Sequence, residues 1–91
     1  MKYIVCYDIQ EDRIRSKVAK LLESHAMRIQ YSVFLGDFTE NEAKTLRQEL
    51  LALTEGSEGR TLMMTPICAS CSARMWKMGK YADEVGCCIV A

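Results

Sequence analysis

The segment Lys2–Asp8 (KYIVCYD) constrains this chain more than any other feature, because a near-continuous apolar run of strand length that ends on a carboxylate reads as a central β-strand buried on both faces. Cys6 is then a core residue, and Asp8 stands at the C-terminal lip of the strand. The period changes directly afterwards. Over residues 11–25 the apolar positions Ile14, Val18, Leu21 and Leu22 fall at i, i+4, i+7 and i+8, while Arg13, Lys17 and Lys20 gather on another side. This spacing predicts an amphipathic helix with a basic stripe.

Residues 28–37 (RIQYSVFLGD) alternate, with Ile29, Tyr31, Val33 and Leu35 pointing one way and Arg28, Gln30, Ser32 and Phe34 the other, the pattern of a half-exposed strand. Thr39 and Glu42 have the spacing of a capping box, which starts a second helix carried on by Ala43, Leu46, Leu50 and Leu53. The TEGSEG loop at residues 54–59 ends it. A third strand is expected over residues 60–65, closed by Pro66, because proline cannot donate to a ladder. Beyond it a short helix is expected within residues 68–80 and a short strand at residues 87–90, at a sheet edge or donated to a neighbour. If the alternating segment bends back on itself, the order is β-α-β-β-α-β. That is the ferredoxin-like α+β sandwich, two helices on one face of an antiparallel sheet, over residues 1–80, with residues 81–91 as a tail that is exchanged with a partner protomer in one reading.

A chain of 91 residues builds a modest core, so a partner subunit would add stability. No apolar stretch approaches the roughly 20 residues of a membrane span, and no leader pattern precedes the first strand, so a cytoplasmic protein without a membrane partner is expected. Five cysteines in such a setting are reduced thiols or metal ligands. Net charge is zero, but residues 1–30 carry six Lys or Arg against four acids, whereas residues 31–60 carry three against six. A phosphate-bearing partner is therefore not excluded, since local charge decides such binding.

Asp8 is the sharpest position for chemistry. A carboxylate held rigidly at a strand end is what Mg²⁺ or Mn²⁺ requires of a ligand; the competing reading is a cap on the helix or loop that follows. One aspartate alone is a poor site for a hard cation. A twofold dimer removes that difficulty, because each protomer presents its own Asp8 toward the axis and a cation relieves their repulsion. Arg13, Arg15, Lys17, Lys20 and Arg28 are candidate phosphate contacts, against the plainer reading of a solvated helix face. Phe34, on the face of Arg28, Gln30 and Ser32, is expected to be accessible, either stacking on a base or packing at a subunit interface.

The remaining chemistry is thinner. Cys68 and Cys71 form a C-x-x-C that Cys87 and Cys88 would complete for zinc, but neighbours in a strand point to opposite faces and a second C-x-x-C is missing. The strand and helix context of a redox C-x-x-C is absent too. The single His25, near the end of the first helix, reads as a contact with the helix dipole, and no paired nucleophile supports serine or cysteine hydrolase chemistry. Met63, Met64, Met75, Trp76 and Met78 read as core or interface filling.

Tyr7-Asp8-Ile9 at the end of the first strand, the basic helix after it, residues 28–34 (RIQYSVF) followed by Gly36, and Pro66-Ile67-Cys68 together resemble the Cas-two family, the small CRISPR-associated endonucleases of spacer acquisition. The resemblance runs from residue 2 to about residue 80, and RIQYSVF is its most specific part. It implies a ferredoxin-like homodimer whose two first-strand aspartates face each other and hold a divalent metal, usually Mg²⁺. It also implies either metal-dependent cleavage of single-stranded RNA or double-stranded DNA, or a non-catalytic bridge between integrase dimers of the CRISPR adaptation machinery. By position, Asp8 matches the metal aspartate and Tyr7 its neighbour, while Arg15, Arg28 and Phe34 match positions implicated in activity. Lys17 stands where some members have Arg, which keeps the charge and loses the bidentate fork. The tail carries no partner assignment. A regulatory or ligand-binding domain is a third reading, since the fold hosts many functions.

Overall fold

The computed structural model describes residues 1–79; the strand expected at residues 87–90, the division between domain and tail, and Cys87 and Cys88 lie outside the described residues. The elements run β1 (Lys2–Asp8), α1 (Asp12–Glu23), β2 (Met27–Gln30), β3 (Val33–Asp37), α2 (Glu40–Thr54), β4 (Thr61–Ile67) and α3 (Ala69–Ala73). The four strands form one antiparallel sheet in the order β2-β3-β1-β4, so β1 is central as its sequence suggests. The alternating segment does bend back. Tyr31 and Ser32 turn the chain between β2 and β3, and the register shifts between Arg28 and Gln30.

Residues opposite one another in a sheet share a face. Tyr3, Val5 and Tyr7 of β1 lie across from or diagonal to Phe34 and Gly36 on β3 and Leu62, Met64 and Pro66 on β4. Val18 and Leu22 of α1 and Ala43, Leu46 and Leu50 of α2 close over this face and complete the core, with Ile9 and Phe38 at its rim. The other face carries Lys2, Ile4 and Cys6, all half-buried. Burial of β1 on both faces is thus corrected to burial on one, and Cys6 is not a core residue. The cause is chirality: a right-handed crossover from β1 to β2 and another from β3 to β4 deliver both helices to the same side of the sheet.

Local chemistry sets the element ends. The capping box forms as its spacing requires: Glu42 N donates to Thr39 Oγ1 (3.1 Å) and Thr39 N donates to Glu42 Oε1 (2.8 Å). Past α2, Gly56 and Gly59 take positive φ (83° and 72°), and Arg60 Nη1 donates to the Thr54 carbonyl at 2.8 Å, satisfying one of the free acceptors of the helix end. Pro66 does not end β4 but sits inside it, opposite Tyr3. β4 is an edge strand, where a nitrogen without hydrogen removes no ladder bond if it faces outward. No helix among the described residues is long and apolar enough to cross a membrane.

Candidate functional site

β1 ends on Asp8, paired in register with Thr61. The Asp8 side chain is exposed, and strand alternation places it with Cys6 on the face opposite α1 and α2, whereas Tyr7 points into the core. Asp8 does not cap α1, whose N-cap is Glu11 without a side-chain cap bond. Among the described residues, no ion pair or hydrogen bond engages the Asp8 carboxylate. Nor do three or more His, Cys, Asp or Glu side chains gather around one point there. A rigid carboxylate with both oxygens free fits one ligand position of a hard cation, and one chain supplies no more than that.

The loop after Asp8 is held by Arg15. Its Nη1 donates to the carbonyls of Ile9 (2.9 Å) and Gln10 (3.3 Å), and its Nη2 pairs with Asp12 Oδ1. Arg15 therefore spends its guanidinium on the backbone that carries Asp8. The Asp12 carboxylate holds its pKa above the ordinary arginine value, with a smaller contribution from the Tyr31 phenol.

A second cluster lies on the helix side of the sheet. The rings of Tyr7 and Phe34 stack with centroids 6.2 Å apart and planes 25° from parallel. The Arg28 guanidinium lies over the Phe34 ring at 5.2 Å and over the Tyr31 ring at 6.0 Å, with Glu23 Oε2 at 3.6 Å. Burial pushes the Tyr7 phenol above its ordinary pKa, and the positive charges of the neighbouring Arg28 and of Arg15 only partly offset this. Tyr7, Arg15, Arg28 and Phe34 are thus brought together with Tyr31, whereas Asp8 lies on the opposite face at the end of the same strand.

One expectation is corrected here. Phe34 is 0% exposed, the largest fully buried side chain among the described residues, and Tyr31 is 73% exposed. Arg28 and Phe34 do share a face, as the alternation predicts, but it is the face the helices cover. The bend then puts Tyr31 in solvent. Tyr31 was legible only to a reading that placed the turn at residues 31–32.

On α1, Arg13, Lys17 and Lys20 are exposed along one side, forming the basic stripe. Cys68 and Cys71 are exposed at the start of α3, where Cys71 N donates to Cys68 Sγ at 3.4 Å. That bond, with the Cys71 side chain, lowers the Cys68 thiol pKa from its ordinary value.

Comparison with known proteins places these features in context. The family described as CRISPR associated protein Cas2 matches residues 1–75. The chain is 38% identical over 83 residues to the CRISPR-associated endoribonuclease Cas2 4 of Rhodospirillum rubrum, covering 91% of this chain and 66% of that one. It is 39% identical over 79 residues to the CRISPR-associated endoribonuclease Cas2 1 of Chloroflexus aurantiacus, covering 87% and 85%. Among solved structures, the hypothetical protein TT1823 from Thermus thermophilus superposes with a TM-score of 0.68 at 35% identity, over 75% of this chain and 82% of that one. Streptococcus pyogenes Cas2 superposes with a TM-score of 0.74 over 87% of this chain and all of that one, at 21% identity, which speaks for the fold alone.

Proposed function

Because the chain belongs to the CRISPR associated protein Cas2 family, we propose that it is a divalent-metal-dependent endonuclease. It acts as a ferredoxin-like homodimer in which Asp8 of two copies holds one Mg²⁺ or Mn²⁺. The observation that carries this reading is the exposed Asp8, without a partner among the described residues, at the end of the central strand and on the sheet face that neither long helix covers. The same face supports the dimer. Ile4, Cys6 and Val33 are half-buried on it and Met63 is 56% exposed, an apolar surface beside the carboxylate.

When bound, the cation supplies Lewis acidity toward a phosphate oxygen and a more acidic water. The chain's own residues do the positioning. Arg15 ties down Ile9 and Gln10, so the carboxylate that precedes them stays in place without reorganisation. Arg28, braced over Phe34, offers a guanidinium to the phosphate backbone. Tyr7, buried beneath this cluster, is a neutral phenol at neutral pH like any tyrosine of ordinary pKa 10.0, and its ring supports Phe34 from within the core. RNA is the substrate favoured by the naming of the Rhodospirillum and Chloroflexus relatives as endoribonucleases.

Cleavage of single-stranded RNA and of duplex DNA, titrated with Mg²⁺ and Mn²⁺ and run beside Asp8→Asn, tests the reading. Cutting should require metal and disappear in Asp8→Asn. Thermal stability should hold within about 0.5 kcal/mol, because an exposed side chain without partners contributes little to folding. Wild-type cutting by Asp8→Asn overturns the assignment.

A second reading is favoured by the exposed Arg13, Lys17 and Lys20 along α1. In it the dimer binds duplex DNA through these helices and bridges an adaptation integrase in the cytoplasm, with no cleavage of its own. Spacer acquisition that survives Asp8→Ala and fails when the α1 cations are replaced supports this reading; the reverse pattern refutes it.

A further inference from the structure

We propose that Tyr31 is a stacking platform for an unpaired base and gives the protein a preference for single-stranded RNA over duplex, an inference that rests on the nucleic-acid role above. Tyr31 is 73% exposed, whereas Tyr3, Tyr7, Phe34 and Phe38 are all buried; Trp76, 63% exposed, lies after α3 and outside the π contacts that brace Tyr31. Tyr31 sits on the β2–β3 turn. The ring ends a series of π contacts that begins in the core: Tyr7 stacks on Phe34, and Arg28 lies over Phe34 at 5.2 Å and over Tyr31 at 6.0 Å. Each inner member is braced by the one beneath it, and among the described residues Tyr31 is left largely open to solvent.

The chemistry of the surroundings selects the occupant. A flat ring next to a guanidinium matches a base joined to its phosphate: the ring takes the π-face and the cation takes the charge. The Arg28 side chain is 38% exposed, so its guanidinium is open to a phosphate as well as to Glu23 at 3.6 Å. A duplex keeps its bases stacked on one another and shows a protein mainly phosphates and groove edges, so it has no free π-face to offer. Arg13, Lys17 and Lys20 on α1 attract either form; Tyr31 distinguishes them.

The test measures binding in EDTA, where no metal-dependent cleavage occurs, so its outcome is independent of the role of Asp8. The full-length chain is titrated against a labelled single-stranded RNA and a duplex DNA of matching sequence, with the variants Tyr31→Ala and Tyr31→Trp. Tyr31→Ala should weaken single-strand binding by roughly tenfold to a hundredfold, the range of one lost base–aromatic stack, and leave duplex binding within about twofold. Tyr31→Trp should restore it. A 2-aminopurine in the single strand should be quenched by the wild type and not by Tyr31→Ala. Equal losses on both nucleic acids, no loss on either, or a changed oligomeric state of Tyr31→Ala by size-exclusion chromatography overturns the proposal, the last by assigning the ring to a protein interface. Wild-type protein that binds single strands through Tyr31 but never cuts them refutes the nuclease reading and leaves this one standing.

Discussion

Replacing Phe34 separates a residue that touches substrate from one that holds the site together. Phe34 is 0% exposed and makes two ring contacts, with Tyr7 at 6.2 Å and with the Arg28 guanidinium at 5.2 Å. Truncating a buried phenylalanine to alanine costs about 3–5 kcal/mol, from lost transfer energy and the cavity left behind. A chain of 91 residues has a total stability of roughly 5–14 kcal/mol at the usual 0.05–0.15 kcal/mol per residue. Phe34→Ala therefore removes roughly a fifth or more of the stability and lowers the melting temperature by at least about 12 °C, at 4–8 °C per kcal/mol.

Loss of cleavage in Phe34→Ala would say nothing about catalysis. Phe34→Leu is the informative variant. It preserves most of the apolar volume, at a repacking cost under about 1.5 kcal/mol, and gives up the ring contacts. The contact that bears on the site is the one to Arg28, worth about 0.5–1 kcal/mol, which caps the expected fall in cleavage rate at roughly fivefold. Urea unfolding followed by circular dichroism at fixed protomer concentration verifies that the variant is folded, and cleavage is then measured well below its midpoint. A folded Phe34→Leu that cuts more than tenfold slower than wild type would refute the reasoning, because such a loss requires the ring itself to meet the substrate.

Two further predictions follow from packing and burial. A Cβ on Gly36 would lie 2.5 Å from Cζ of Phe38 and 3.0 Å from Cβ of Ala26, so Gly36→Ala should destabilise by about 1–3 kcal/mol, read as a lower urea midpoint; an unchanged midpoint would mean that the Phe38 ring swings aside freely. Burial raises the Tyr7 pKa above its ordinary value of 10.0, so the folded protein keeps a proton that the unfolded chain releases. The stability from this difference is complete below pH 10 and is lost as pH rises through the folded value, and Tyr7→Phe should flatten the decline of the urea midpoint between pH 9 and 11; parallel declines would sink the assignment.

Much of this molecule is legible along its chain because the relevant forces act between near neighbours. Thr39 and Glu42 are three residues apart and find each other as soon as a helix begins, so the capping box can be read directly. The stripe of Ile14, Val18 and Leu22 needs only the helical period. Asp8 at the end of β1 follows from the length of an apolar run, and the shared face of Arg28 and Phe34 from strand alternation. Alternation relates residues to one another but carries no label for inside or outside. Which face of the sheet meets the helices is decided by where two right-handed crossovers land, and they land on the side of Tyr7 and Phe34. That event buried Phe34, left the Cys6 and Asp8 face uncovered by either long helix, and let Pro66 lie within an edge strand. The bend at Tyr31 and Ser32 then brought to the surface an aromatic ring that periodicity alone had aligned with Val33 and Leu35. The residues able to do chemistry were set by sequence; their exposure was set by tertiary packing, because burial depends on elements far apart in the chain.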